Sequence, residues 1–378
     1  MAINAKYRKH APDISRVLCV NLEGSIAGAE QSLLLFVRFV PKTIQLSAAC
    51  PSGQLTEKLT SLGVKTYQIP SPPRKFNLPI TWLFYLAVVN LQLFIVILRV
   101  RPQIIHANSS KAVLAAALAK VMSASKIIWH MRDLRISKRQ ARICGCLSSK
   151  VITVSKTVRN HLTGLGVKPE LIEVIYNGVA ADNIEIKEKN QNGTITFANI
   201  GQFVPWKKQI LFIEAAERYL RQGRKANFIL VGDDVFGRDG VYKKKLINRI
   251  SASTFTSNIK IIGWQNDINS LWPKIDCLVH TADAEPFGRV IIEAMTNGVP
   301  VIAAAGDGPA EIIDNGKTGL LFTPDDIEGL LDAMKTVSHD RQFTRNLAVN
   351  ARQHVISNFQ AGKTAEKIAN VYKELMAA

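Results

Sequence analysis

The strand-like run CLVH (277–280) passes through TADAEPFG (281–288) into RVIIEAMTNG (289–298), and the reading of this stretch decides the fold. Cys277–His280 is short, apolar and β-prone. The loop after it carries Glu285 and ends at Gly288, where the backbone can approach a ligand closely. A helix then begins near Arg289. Its first amides have no intrahelical acceptor and sit at the positive end of the helix dipole, a good seat for a diphosphate. Glu293 follows Glu285 by eight residues and lies about one turn into that helix, facing the same crevice. A carboxylate there can accept two hydrogen bonds from a vicinal diol such as a nucleotide ribose. Glu285 is placed to meet sugar hydroxyls or positive charge developing at an anomeric carbon.

Outward from this unit the same scheme repeats. Short apolar strands alternate with longer helices, the pattern of an α/β protein with parallel sheets. Candidate strands in the first half are Val17–Leu22, Thr43–Ala48, Lys65–Ile69, Gln103–His106, Lys126–Trp129, Val151–Val154 and Glu173–Ile175. In the second half they are Thr194–Ile200, Asn227–Val231, Ile259–Ile262, Cys277–His280, Val299–Ala303 and Leu320–Phe322. The division is a first Rossmann-like domain over 1–180, a polar linker over 181–193, a second such domain over 194–358, and a final helix within 359–378. Composition does not say on which domain that helix packs. A chain of 378 residues fits two domains of this size.

Charge is unevenly spread. Residues 1–180 hold 24 Lys and Arg against 7 Asp and Glu, while residues 181–378 hold 24 against 23. A basic first half attracts an anionic partner: nucleic acid, an anionic lipid surface or a phosphate-bearing substrate. Nucleic acid is disfavoured, because no helix-turn-helix, zinc framework or aromatic-interleaved basic stripe is present. Five scattered cysteines suit a reducing cytosol, and Cys144-Gly-Cys146 has no second pair at metal spacing. The polar start, MAINAKYRKHAPDISRV, has no apolar core or cleavage site of a secretory leader. Ile80–Leu98 is uncharged and 19 residues long, enough to test as a membrane span, a buried core helix or an interfacial helix. Spanning is disfavoured, since Gln103–His106 must share a sheet with Val17–Leu22.

The spacing Glu285–Glu293 after a strand resembles the donor motif of the retaining family 4 glycosyltransferases, which have the GT-B fold of two facing Rossmann-like domains. VITVSKTVRNHLTGLGVKPELIEVIYNGV (151–179) and GDGPAEIIDNGKTGLLF (306–322) resemble further family segments. The resemblance implies transfer of a hexose from a nucleotide diphosphate sugar, with UDP-glucose the first candidate. It implies a glycan or lipid-linked acceptor in polysaccharide synthesis, and no metal or other cofactor. Glu293 would hold the ribose, Glu285 the donor sugar, and backbone amides around Phe287, Gly288, Arg289 and Val290 the diphosphate.

Other positions match in part. In GQFVPWKKQ (201–209) Lys207 fits the family lysine that faces the leaving phosphate, but Gln202 stands where the family has arginine, with Lys208 or Arg289 as substitutes. Gly28 lies in EGSIAGAE (23–30), which is not a G-x-G-x-x-G fingerprint and only partly resembles the family's glycine loop; a plain strand–helix turn is the alternative. His130, in IIWHMRDL, resembles the histidine that reaches the donor sugar from the first domain, although a lone histidine is often structural. His106 and Asn108 are candidates for the acceptor. Gly232, and Gly263 with Trp264, end strands whose loops meet the nucleobase in the family. Two other readings stay open. One is an inactive nucleotide-sugar-binding partner subunit, suggested by Gln202; the other is a metal-dependent transferase using Asp283 and Glu285 as a pair. A basic first domain with a long apolar helix points to a cytoplasmic protein, peripheral on the inner face of the cell membrane.

Overall fold

The computed structural model describes residues 15–72, 79–117, 123–180, 194–235, 237, 240–265 and 267–377. The opening polar stretch up to residue 14 and the linker 181–193 lie outside the described residues. Two parallel sheets organise the rest, which bears out the α/β, doubly wound reading. The first contains β1 (Ser15–Val20), β2 (Ile44–Cys50), β3 (Lys65–Gln68), β4 (Ile104–Ala107), β5 (Lys126–Met131), β6 (Lys150–Thr153) and β7 (Ile172–Val174), in the order β3-β2-β1-β4-β5-β6-β7. The second contains β8 (Ile195–Ile200), β9 (Ala226–Val231), β10 (Ile259–Gly263), β11 (Cys277–His280), β12 (Val301–Ala304) and β13 (Leu320–Phe322), in the order β10-β9-β8-β11-β12-β13.

The central strands are short because helices cover both faces. Every residue of β4, β11 and β12 is buried, the continuous apolar run expected where neither face meets water. Serines just past β4 and β6, and Ser137 after β5, start the next helices. Ser109, Ser137 and Ser155 accept hydrogen bonds from the amides of Ala112, Gln140 and Val158, so each helix begins close to the carboxyl end of its strand. Each sheet reverses direction beside its first strand, between β1 and β4 and between β8 and β11. Crevices form outside the carboxyl ends of strands at such switch points. The two sheets turn these ends toward each other.

The final helix, Ala361–Ala377, crosses back to the first domain. Its Ala365, Ile368, Val371 and Tyr372 are buried in one core with Val17, Phe36 and Ile128. Helix Pro79–Val100 lies against the same domain with Tyr85, Val89, Leu93, Val96 and Ile97 buried. Its other side, through Phe84, Ala87, Leu91, Ile95 and Leu98, is exposed along one helical stripe. Phe84 is 72% exposed and Leu91 61%. Half core and half apolar surface, the helix is wedged against a sheet whose strands flank it in sequence.

Candidate active site

The second domain builds its wall of the crevice from three layered loops. Gly201 follows β8, Gly232 follows β9 and Gly263 ends β10. The amide of Gly201 donates to Val231 O, and that of Gly232 donates to Gly263 O, both at 3.0 Å. Gly232 has no room for a side chain, since a Cβ would stand 1.9 Å from Gly201 O. Trp264 projects beside them, 40% exposed and lining the crevice.

Beside these loops the chain after β11 turns sharply. Gly288 takes φ 103° immediately before the helix Arg289–Thr296, a conformation that disfavours any residue with a Cβ. Gly308 presses on the turn so closely that a Cβ would lie 2.3 Å from Phe287 Cα. Its amide donates to Glu285 O at 3.0 Å. Packed in this way, residues 287–290 hold the open end of the helix on the crevice.

At the foot of the turn, Glu285 is buried and ion-paired with Lys207, which also stands 4.4 Å over the Trp206 ring. His280 Nε2 is 3.1 Å from the same carboxylate oxygen, Oε2. Burial alone would raise the Glu285 carboxyl, but the Lys207 ammonium and the His280 hydrogen bond outweigh it and hold the acid well below the usual carboxylate range. Burial lowers the His280 pKa, so its imidazole is neutral and donates Nε2–H to the carboxylate. Glu285 is therefore a fixed anion beside a fixed cation. His280 was not singled out in the sequence, although its place as the last residue of a strand leading into the loop was a usable signal.

Lys208, by contrast, turns away. It adopts φ 49° and its ammonium reaches Asp325 Oδ2 at 2.6 Å and Asp283 Oδ2 at 3.2 Å. The two carboxylates together engage its charge. Gln202 lines the crevice, its carbonyl held by Gln209 Nε2 at 2.8 Å. Arg289 spans the domains: Nη1 donates to Gly28 O and Ser32 Oγ, both 2.9 Å, and Nη2 donates to Glu293 Oε1 at 2.8 Å. Gly28 opens the helix Gly28–Phe39 and meets the second domain through this carbonyl. Val290 and Glu293 line the crevice on the same helix face.

The first domain forms the facing wall. His130 is 2% exposed and His106 1%, and neither reaches the crevice. β5 ends at Met131, and Arg132, the residue after it, lines the crevice. Asn108 is buried at the crevice floor, donating to Asn21 Oδ1 at 2.9 Å and accepting from Arg132 Nε at 3.0 Å. Arg135 stacks on Trp206 of the other domain, 5.0 Å from its centroid, and closes one end.

Two facing Rossmann-like domains, with an open helix start and a buried Glu–Lys pair on one wall of the crevice between them, have the architecture of the GT-B glycosyltransferases. Consecutive family models match the chain: Glycosyltransferase Family 4 over residues 26–183 and Glycosyl transferases group 1 over residues 180–354. The chain belongs to the family 4 glycosyltransferases. It is similar to the UDP-Gal:alpha-D-GlcNAc-diphosphoundecaprenol alpha-1,3-galactosyltransferase of Escherichia coli, at 22% identity over 96% of this chain and 97% of that one. Among solved structures it is similar to Anabaena HepE in complex with UDP-glucose, with a TM-score of 0.81 and 25% identity over 95% and 99% of the two chains. The sucrose-phosphate synthase of Thermosynechococcus elongatus shares the fold, with a TM-score of 0.80 at 17% identity over 96% and 99% of the chains.

Proposed function

We propose that this enzyme moves a hexose, with retention, from a UDP-sugar to a lipid-linked glycan acceptor. UDP-glucose is the first donor candidate. The observation that carries the reading is the Lys207–Glu285 pair set beneath the open start of the helix Arg289–Thr296, with Glu293 on the same wall. The helix start and Lys207 hold the diphosphate, Glu293 takes the ribose diol, and the Glu285 anion faces the sugar. Gly232, Gly263 and Trp264 border the nucleobase. The relatives support donor and acceptor chemistry: HepE is solved with UDP-glucose, and the galactosyltransferase carries a diphosphoundecaprenol acceptor in its name.

Transfer proceeds on one face of the sugar. The acceptor oxygen bonds to the anomeric carbon as the bond from that carbon to the diphosphate oxygen breaks. The acceptor proton passes to the departing diphosphate, which serves as the base. Lys207 offsets the charge building on that leaving group. No divalent metal enters this scheme. Arg135 on Trp206 and Arg289 on Gly28 bring the walls together and limit water at the reacting carbon.

The exposed apolar stripe of the helix Pro79–Val100, ending at Arg99 and next to Arg101, seats the first domain on an anionic bilayer from the cytoplasmic side. A lipid-linked acceptor would be presented there.

A screen of sugar release and transfer across UDP-, GDP- and ADP-sugars, with and without a chelator, tests the reading. Turnover of one UDP-sugar, unaffected by the chelator and with the anomeric configuration kept, is the expected result. Binding of UDP without turnover of any donor would favour the alternative, a nucleotide-sugar-binding partner subunit, for which Gln202 is the motivating residue.

A further inference from the structure

We propose that Arg132 is a phosphate-binding residue, a second anion site on the first domain's wall of the crevice. The inference rests on the crevice being the nucleotide-sugar site proposed above. Its ligand is a phosphoryl oxygen, which belongs either to the donor diphosphate or to a diphosphate-linked acceptor.

The guanidinium is fixed by neutral groups alone. Nε donates to Asn108 Oδ1 at 3.0 Å, Nη1 to Asn177 Oδ1 at 2.7 Å, and Nη2 lies 3.1 Å from His130 Nδ1. These bonds use one N–H on each nitrogen of a group that carries five. One N–H on each Nη is left over, the two-pronged arrangement that matches a phosphate. Among the described residues no carboxylate forms an ion pair with Arg132.

The acceptors behind it are prepared for this task. Tyr372 hydroxyl lies 2.6 Å from His106 Nδ1, and His106 Nε2 lies 3.1 Å from His130 Nδ1. Burial and the Arg132 charge keep both imidazoles neutral, His106 down to about 3. With Tyr372 donating to His106, His130 Nδ1 is the acceptor, its one lone pair shared between two donors at 3.1 Å, His106 Nε2–H and Arg132 Nη2–H. Asn108 is anchored in turn by Asn21. Neutral groups therefore hold the guanidinium directly, while the buried Glu30 carboxyl, behind Asn21, acts on its charge from further off and only partly opposes the effect of burial.

Holding a half-buried cation this way is unfavourable without an anion. Burial, and after it the nearby Arg289 guanidinium, lower the Arg132 pKa to about 9. An anion between the walls removes both penalties. On the second domain's wall Lys207 is paired with Glu285, and Lys208 is engaged by Asp325 and Asp283. Arg132 adds a cation without a paired carboxylate from the facing domain.

The test measures affinity of the full chain and its Arg132→Gln variant for UDP against uridine, and for farnesyl diphosphate against farnesol. Taking each phosphate ligand relative to its phosphate-free partner removes any general loss of folding. In the wild type both phosphate ligands bind better. Arg132→Gln is expected to cut the preference for one of them by about tenfold to a hundredfold. Loss of the UDP preference assigns the site to the donor; loss of the farnesyl diphosphate preference assigns it to the acceptor. Arg132→Lys, a point charge without the fork, should keep part of the preference. If Arg132→Gln leaves both preferences at wild-type size, the inference is wrong while the nucleotide-sugar reading stands. If the wild type itself fails to bind UDP, that reading is what falls.

Discussion

Glu311 of the second domain caps a helix of the first: its carboxylate accepts from the Thr157 amide at 2.7 Å and from the Thr157 hydroxyl at 2.8 Å. The Lys156 amide and the Tyr176 hydroxyl add bonds of 2.8 and 2.9 Å. An acid at the start of the helix Lys156–Gly164 is favoured by the free amides and the dipole. Glu311→Gln keeps the shape and removes the charge. It should cost about 1–3 kcal/mol of stability, read as a lower denaturation midpoint. A midpoint equal to wild type would show that the domains do not depend on this clasp.

The Glu285 carboxyl sets a pH prediction. Its folded pKa is depressed below the ordinary 4.5, so it contributes stability above that pH and loses it only as pH falls toward the folded value. Turnover should therefore show no acid limb from Glu285 between pH 5 and 7 (a range set by the usual carboxylate pKa of about 4.3). Removing Lys207 takes away the main opposing charge. Lys207→Met should move an acid limb upward into a measurable range. A pH–rate profile unchanged in shape would contradict the pairing.

Lys207 and Lys208 are adjacent but differently committed. Lys207→Ala should lower turnover by about a hundredfold or more, the usual scale for losing a group that stabilises a leaving charge. Lys208→Ala removes a partner of Asp325 and Asp283 and should cost less than tenfold. Equal losses in a steady-state comparison would remove the distinction drawn here.

Glu293 accepts from Arg289, and the proposed function gives it the ribose diol as a second partner when donor binds. Glu293→Ala should weaken UDP binding by about tenfold or more. The same change should matter far less for 2′,3′-dideoxy-UDP, which has no diol. Calorimetric titration of both ligands decides it; a uniform loss on both would place the ribose elsewhere.

Phe84 and Leu91 are exposed on one stripe, so charge there should leave the fold intact. Phe84→Glu with Leu91→Glu should abolish sedimentation with anionic vesicles while the melting temperature stays within a few degrees. Raised salt should weaken wild-type binding as well. Full sedimentation of the double variant would end the bilayer proposal for this helix.

The repeating strand–helix pattern was readable because parallel sheets covered on both faces leave continuous apolar runs, as in CLVH and VIAA. The stretch around Gly288 was readable because a strand end, a glycine and a helix start fall next to one another in sequence. Other parts of the site depend on distant partners. That Lys208 faces Asp325, 117 residues away, follows from no local spacing. Arg132 was passed over for His130, since an arginine after a strand looks like an ordinary solvated charge. Two positions apart on an extended end, they approach the same region, and the outer one takes the crevice. The docking of Ala361–Ala377 was equally silent, because an amphipathic stripe states that it has a partner but not which one.

That helix ties together stretches of chain made far apart in time. Tyr372 lies in one apolar cluster with Val17 and Ile128 and hydrogen-bonds His106, so the amino-terminal domain lacks part of its interior until residues 361–377 have been made. The domain begun first is thus completed only after the second has been made. Cutting the chain before Ala361 would injure the amino-terminal domain rather than the one that precedes the cut in sequence.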